Sequence, residues 1–238
     1  MDEKSEFLNL IRSNIGKYGY HITIVNSPIE PRYAYTVGLS EIYNFELIFA
    51  GGIYYLKEEL FQIFDAIIKE LKIGNQKVTI DSLGTFSLSN VDTSWSQFMM
   101  LGVVDYYKLG IIKAFQIIPD PHHYTLDIPD MSKELDISKE PVWQWLVRKW
   151  DYTIPENSTV VTNIDAMLGE AITEVVRCEN DEWEMFAGAG PDVQKEDIRV
   201  VSLGTIIGID KSLLPALSLN IGKGLWRESG DSDWNSWG

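Results

Sequence analysis

The chain has 238 residues, 45% hydrophobic and 23% charged. That is enough to bury a sizeable core in one large or two modest domains without metal or disulfide staples, and it excludes wholesale disorder and fibrous classes. Twenty Lys and Arg stand against 35 Asp and Glu, a net charge of −15, which repels phosphate backbones and anionic membranes and makes a basic protein the better partner.

The excess is uneven: residues 1–150 carry −5 and residues 151–238 carry −10. Cys178 is the single cysteine, so no internal disulfide is expected. MDEKSEFLNL has neither the basic region nor the apolar run of a signal peptide, and no segment reaches the ~18 apolar residues of a membrane span. The expected compartment is the cytoplasm.

In chain order, Phe7, Leu8, Ile11 and Ile15 form the apolar stripe of a short helix that Gly16 is expected to stop. YHITIVN then reads as a strand, the SPIEP segment with its two prolines as a turn, and YAYTVGL and FELIFAGG as two further strands around a polar loop at Glu41 to Asn44. Leu56 to Leu71 is a long amphipathic helix with Gly74 beyond its end. VTI at Val78, TFSLSNV and AFQIIPD are strand candidates, with a helix from about Ser94 to Leu109 between the last two. One helix covering a largely antiparallel sheet is the expected N-terminal arrangement.

Four prolines from Pro119 to Pro141 mark irregular coil, and VWQWLVRKW a helix after it. A boundary near Asp151 then divides the chain into domains 1–150 and 151–238, each a mainly antiparallel sheet with packed helices, an α+β class. Beyond it Val160 to Thr162, Ala171 to Cys178, Glu182 to Ala187 and GLWRES read as strands, Ser202 to Leu219 as helical turns broken by Gly204, Gly208 and Pro215, and GDSDWNSWG as a polar tail.

Chemical motifs are sparse. His122 and His123 point to opposite faces if extended, and with one cysteine no metal site is expected; a solvated loop is the reading for the pair. Cys178 lies among Glu179, Asp181 and Glu182, which disfavour its thiolate. No nucleophile elbow, phosphate-binding loop or zincin helix occurs, so no catalytic residue and no cofactor are assigned. Asp181, Glu182, Trp183, Glu184 and Trp234 instead suggest a protein-binding surface, because acidic groups steer a basic partner while aromatics hold it. If ENDEWE is a strand, Trp183 faces away from Glu182 and Glu184, which makes a core role for it equally readable. Gly51 and Gly52 read as a tight turn, and Thr36 and Gly38 as a bulge or close approach. An enzymatic alternative would place a cleft at Tyr35, Thr36 and Gly51.

Two resemblances rest on these segments. PRYAYTVGL, FELIFAGG, the helix after it and FQIIPD resemble the bacterial family of unknown function DUF4262 over about residues 15–148, with Asn44, Phe45 and Ile118 departing from its pattern. STVVTN, EVVR, EWEMFAG, VSLGTIIGIDKSLLPAL and GKGLWR resemble DUF2185, which is similar to the Imm33 immunity proteins of bacterial toxin systems; Arg177 and Trp183 are kept, whereas ENDE and AGAGPD depart. The second resemblance implies a non-catalytic protein that binds and neutralises a toxin. The sequence leaves the oligomeric state open.

Overall fold

The computed structural model describes residues 3–75 and 77–237, and among them twelve strands form two six-stranded sheets, each with packed helices. This is the α+β architecture, with two sheet-containing domains, that the sequence predicts.

The first helix, α1 (Glu3–Tyr18), runs through Gly16 and ends at Gly19, whose φ of +87° suits glycine. The first sheet consists of β1 (His21–Val25), β2 (Tyr33–Val37), β3 (Glu46–Ala50), β4 (Lys77–Ile80), β5 (Gly84–Asn90) and β6 (Ala114–Pro119), in the order β1-β2-β3-β6-β5-β4. Its neighbours are antiparallel except β3 and β6. That parallel pair needs a crossover, which contains α3 (Lys57–Leu71). The expected loop at Glu41 to Asn44 includes a helical turn, α2 (Ser40–Tyr43), closed by Asn44 at φ 64°.

Both faces of this sheet are covered, rather than one. Leu60, Ile63, Phe64 and Ile67 of α3 pack on Ala34, Leu47, Phe49 and Ile117. Leu8 and Ile11 of α1 join Trp95 of α4 (Thr93–Met99) and Val103 of α5 (Leu101–Tyr107) over Tyr33, Tyr35, Val37 and Ile48. The helix predicted from Ser94 to Leu109 is therefore two helices, parted at Met100 (φ −106°, ψ 42°). Tyr35 Oη fills the break by accepting from Gly102 N–H at 3.1 Å.

The second sheet comprises β7 (Thr159–Asn163), β8 (Glu174–Arg177), β9 (Glu182–Phe186), β10 (Ile198–Ser202), β11 (Gly224–Trp226) and β12 (Asn235–Trp237), in the order β10-β7-β9-β8-β11-β12. β10 is an unpredicted strand, and β12 arises from the segment read as a polar tail, whose Gly238 lies outside the described residues. The sheet's inner face carries Val160, Val175, Trp183, Met185, Val201 and Leu225, packed with α6 (Ile164–Leu168), α7 (Leu203–Ile209) and a 3-10 helix, Lys211–Ser218.

The segment VWQWLVRKW forms a 3-10 helix, Pro141–Leu146, that reaches both cores. Val142 and Trp143 are buried with the first, Trp145 with the second. Gly204 and Gly208 do not break α7. They are spaced i, i+4, on one helix face, and a Cβ at Gly204 would lie 2.7 Å from Trp145 Nε1, one at Gly208 2.7 Å from Val142 Cα. Glycine at both positions allows the 3-10 helix to approach, and Trp145 Nε1 donates to Gly204 O at 3.1 Å. Among the described residues no helix is long and apolar enough to cross a membrane.

Candidate functional site

Side chains alternate across a strand, so residues paired through successive strands share a face. Val201, Val160 and Trp183 form an inward rung of the second sheet. The next rung, Val200–Val161–Glu184–Val176–Gly224–Trp237, crosses all six strands on the opposite face. On this face Val200 is 59% exposed, Trp226 42% and Trp237 40%, and Glu182 and Glu184 are both exposed. A Cβ on Gly224 would lie 2.4 Å from the Trp237 ring. Glycine there lets the indole lie flat over its neighbour strand. The result is an open sheet face with two central glutamates, flanking valines and two tryptophans at one end.

Asp181, Glu182 and Glu184 are exposed, as a docking surface requires. Trp183 is not on that surface. Its side chain is fully buried, Nε1 donates to Ala216 O at 3.3 Å, and the Arg177 guanidinium covers the ring at 4.7 Å. Trp234 is half-buried under Arg227, 4.2 Å from the ring centre, and donates to Ser212 O. The exposed aromatics on the acidic face, among the described residues, are Trp226 and Trp237, which only the strand register identifies. Cys178 borders the same acids: burial, then Glu184 and Glu182, push its thiol pKa up, which disfavours the thiolate.

The cleft expected at Tyr35, Thr36 and Gly51 is not formed. Tyr35 and Thr36 are buried in the first domain, and a Cβ at Gly51 would meet Asp127 O at 2.2 Å. The contacts of Tyr35 and Thr36 are internal to the first domain. Thr36 Oγ1 donates to Glu46 Oε2 at 2.7 Å, and the N–H groups of Gly38, Leu39 and Ser40 also donate to that carboxylate. The YTVGL segment is thus folded around the buried Glu46 of the following strand. Burial raises the Glu46 pKa and these donors oppose the rise.

Sequence reasoning missed a different arrangement in the first domain. Asp120, at the end of β6, accepts from Thr85 N–H at 2.8 Å and from His122 N–H, and binds His123 Nδ1 at 2.8 Å. A carboxylate only accepts, so Nδ1–H is the donor to Asp120 and Nε2 is not engaged by the pair. Tyr54 meets the imidazole edge-on at 4.7 Å. Gly84 (φ +94°) leaves room for the pair, since a Cβ there would lie 2.5 Å from Asp120 Oδ2. The pair borders an open groove of ≈ 840 Å³ with Lys77, Ser87 and Tyr124. The signal available in the sequence was the D-x-x-H spacing in PDPHH. Among the described residues no group of three or more His, Cys, Asp or Glu is placed to hold a metal ion.

Comparison with family models, curated proteins and solved structures finds no match to the chain.

Proposed function

We propose that the protein acts by binding, and that the outward face of its second sheet docks a basic protein. The observation that supports this most directly is the outward rung from Val200 to Trp237, on which Val200, Glu184 and Trp237 are exposed, with Glu182 beside Glu184 on the same face. A domain bearing −10 steers a positively charged partner onto that face. Neutralisation of a cognate toxin is the form of binding that the sequence resemblance implies.

The test is capture of basic proteins from the native cytoplasm, followed by association kinetics at two salt concentrations. Glu182→Lys with Glu184→Lys is expected to slow association and weaken its salt dependence without changing the melting temperature. Trp226→Ala and Trp237→Ala are expected to hasten dissociation, each by about tenfold, as for an aromatic anchor worth ~1–2 kcal/mol. An unchanged on-rate in the charge-reversed variant removes this face from the interface.

An enzyme acting on a small molecule is the second reading. The Asp120–His123 pair favours it, because a carboxylate-oriented imidazole beside a groove is arranged for general-base chemistry. Loss of a catalysed reaction in His123→Gln, with partner binding intact, would support it.

A further inference from the structure

The two domains meet where the edge strand β10 and the start of α7 face residues 27–32 and 51–55. Four successive carbonyls of that second segment accept from two arginines: Gly52 and Tyr55 from Arg32 Nη2, at 3.4 and 2.6 Å, and Ile53 and Tyr54 from Arg199 Nε and Nη2, each at 3.0 Å. On the other side of the segment, Ile53 N–H donates to Asp127 Oδ2 at 3.2 Å. Ser202 Oγ completes the seam by donating to Ile29 O.

These contacts leave a cavity of ≈ 220 Å³ between the domains, lined by Glu30, Arg32, Ile53, Asp127, Asn157 and Ser202 among others. At ~30 Å³ per water it has room for about seven waters, below the range of drug-sized pockets, so its occupant would be small. Among the described residues Arg32 Nε is buried without a hydrogen-bond partner. An orphaned guanidinium N–H is costly to bury and is satisfied by a carboxylate or phosphate oxygen. The same wall holds two carboxyl groups: Asp127 already accepts from Thr125 Oγ1 and the Ile53 and Gly52 N–H groups, whereas Glu30 accepts from Ser27 Oγ and keeps further acceptor capacity. A simple anion would face both carboxyl groups; a molecule carrying an ammonium group beside its carboxylate would use Arg32 and Glu30 together.

We propose that this interdomain cavity binds a small amino acid, with its carboxylate on Arg32 Nε and its ammonium group facing Glu30. The site shares Val200 with the outward sheet face but uses none of that face's glutamates or tryptophans. Occupancy would tie both domains to one ligand and stabilise the whole chain by mass action.

Calorimetric titration of the full-length protein with each standard L-amino acid, and with acetate and inorganic phosphate as singly functional probes, tests this. At least one amino acid is expected to bind at one per chain, and Arg32→Gln to weaken it about tenfold or more, the loss of one charge-assisted hydrogen bond. Asn157→Trp, at an exposed position on the mouth, is expected to block binding with an unchanged melting temperature. If Arg32→Gln fails to fold, Glu30→Gln reads the ammonium contact instead and should weaken the amino acid about tenfold. Absence of binding by every amino acid, equal binding of acetate or phosphate, or binding that survives both Asn157→Trp and the folded Arg32 or Glu30 variant overturns the proposal.

Discussion

Gly16 and Gly208 both lie inside helices, yet alanine should have opposite effects at the two. The backbone gain is common to both, since alanine is ~0.8–1.0 kcal/mol better than glycine in a helix interior. At Gly16 a Cβ meets nothing within 4 Å, so Gly16→Ala should stabilise the chain by about that amount. At Gly208 it would lie 2.7 Å from Val142 Cα and 2.9 Å from Pro141 O and Val142 N. All three are backbone atoms, which cannot rotate aside as a side-chain tip can. The upper part of the overpacking range, ~3 kcal/mol, therefore applies, and after subtraction of the helix gain Gly208→Ala should destabilise by about 2 kcal/mol. Urea unfolding of both variants, extrapolated to water and compared at constant m, measures the difference of about 3 kcal/mol. A Gly208→Ala protein as stable as wild type, with unchanged m, would refute the close packing of α7 on residues 141–146.

Three other perturbations follow from the same contacts. Gly38→Val should destabilise by about 2 kcal/mol or more in urea unfolding, because φ is +116° and a Cβ would lie 3.0 Å from Ile15 Cγ1; a change below ~0.5 kcal/mol would mean that the position tolerates a side chain. A fragment of residues 152–238 should lack native near-ultraviolet signals, since it loses Trp145 from its core, whereas residues 139–238 should recover them; native signals from the shorter fragment would make Trp145 dispensable. Burial raises the Asp127 pKa above its ordinary value, so its contribution is complete at acid pH and is lost as pH rises through the folded value. Asp127→Asn should accordingly flatten the fall of stability as pH rises above about 4, and an unaltered slope would mean that Asp127 titrates as it does in the unfolded chain. Asp136, held down to about 2 by Ser138 and Lys139, acts with the opposite sign below about pH 4, outside that window.

What could be read in the sequence was whatever a period of two or 3.6 records locally. The α3 stripe and the strands β1, β2, β3 and β6 are of that kind, because each is bounded by its own turn residues. Gly204 and Gly208 were misread for the converse reason: a glycine that breaks a helix and one that admits a neighbouring backbone look alike until the neighbour is known, and here it comes from some sixty residues earlier in the chain. Trp145 likewise belongs to a core formed mainly by residues that follow it.

The acidic surface divides along the same line. Alternation within ENDEWE was sufficient to oppose Trp183 to Glu182 and Glu184, and the structure places the tryptophan inside and the glutamates outside. It could not supply the aromatics that accompany those glutamates. Trp237 reaches their face because β12 pairs with β11, β11 with β8 and β8 with β9, three registers set by residues spread from 174 to 237. Trp226 enters through the same ladder, opposite Glu174 on one side and Asn235 on the other. A composite face of this kind has no contiguous sequence signature. Its acidic centre is local and its apolar margins are topological, so substitutions that shift the β11–β12 register should remove Trp237 from the face while leaving Trp226 and the charge in place.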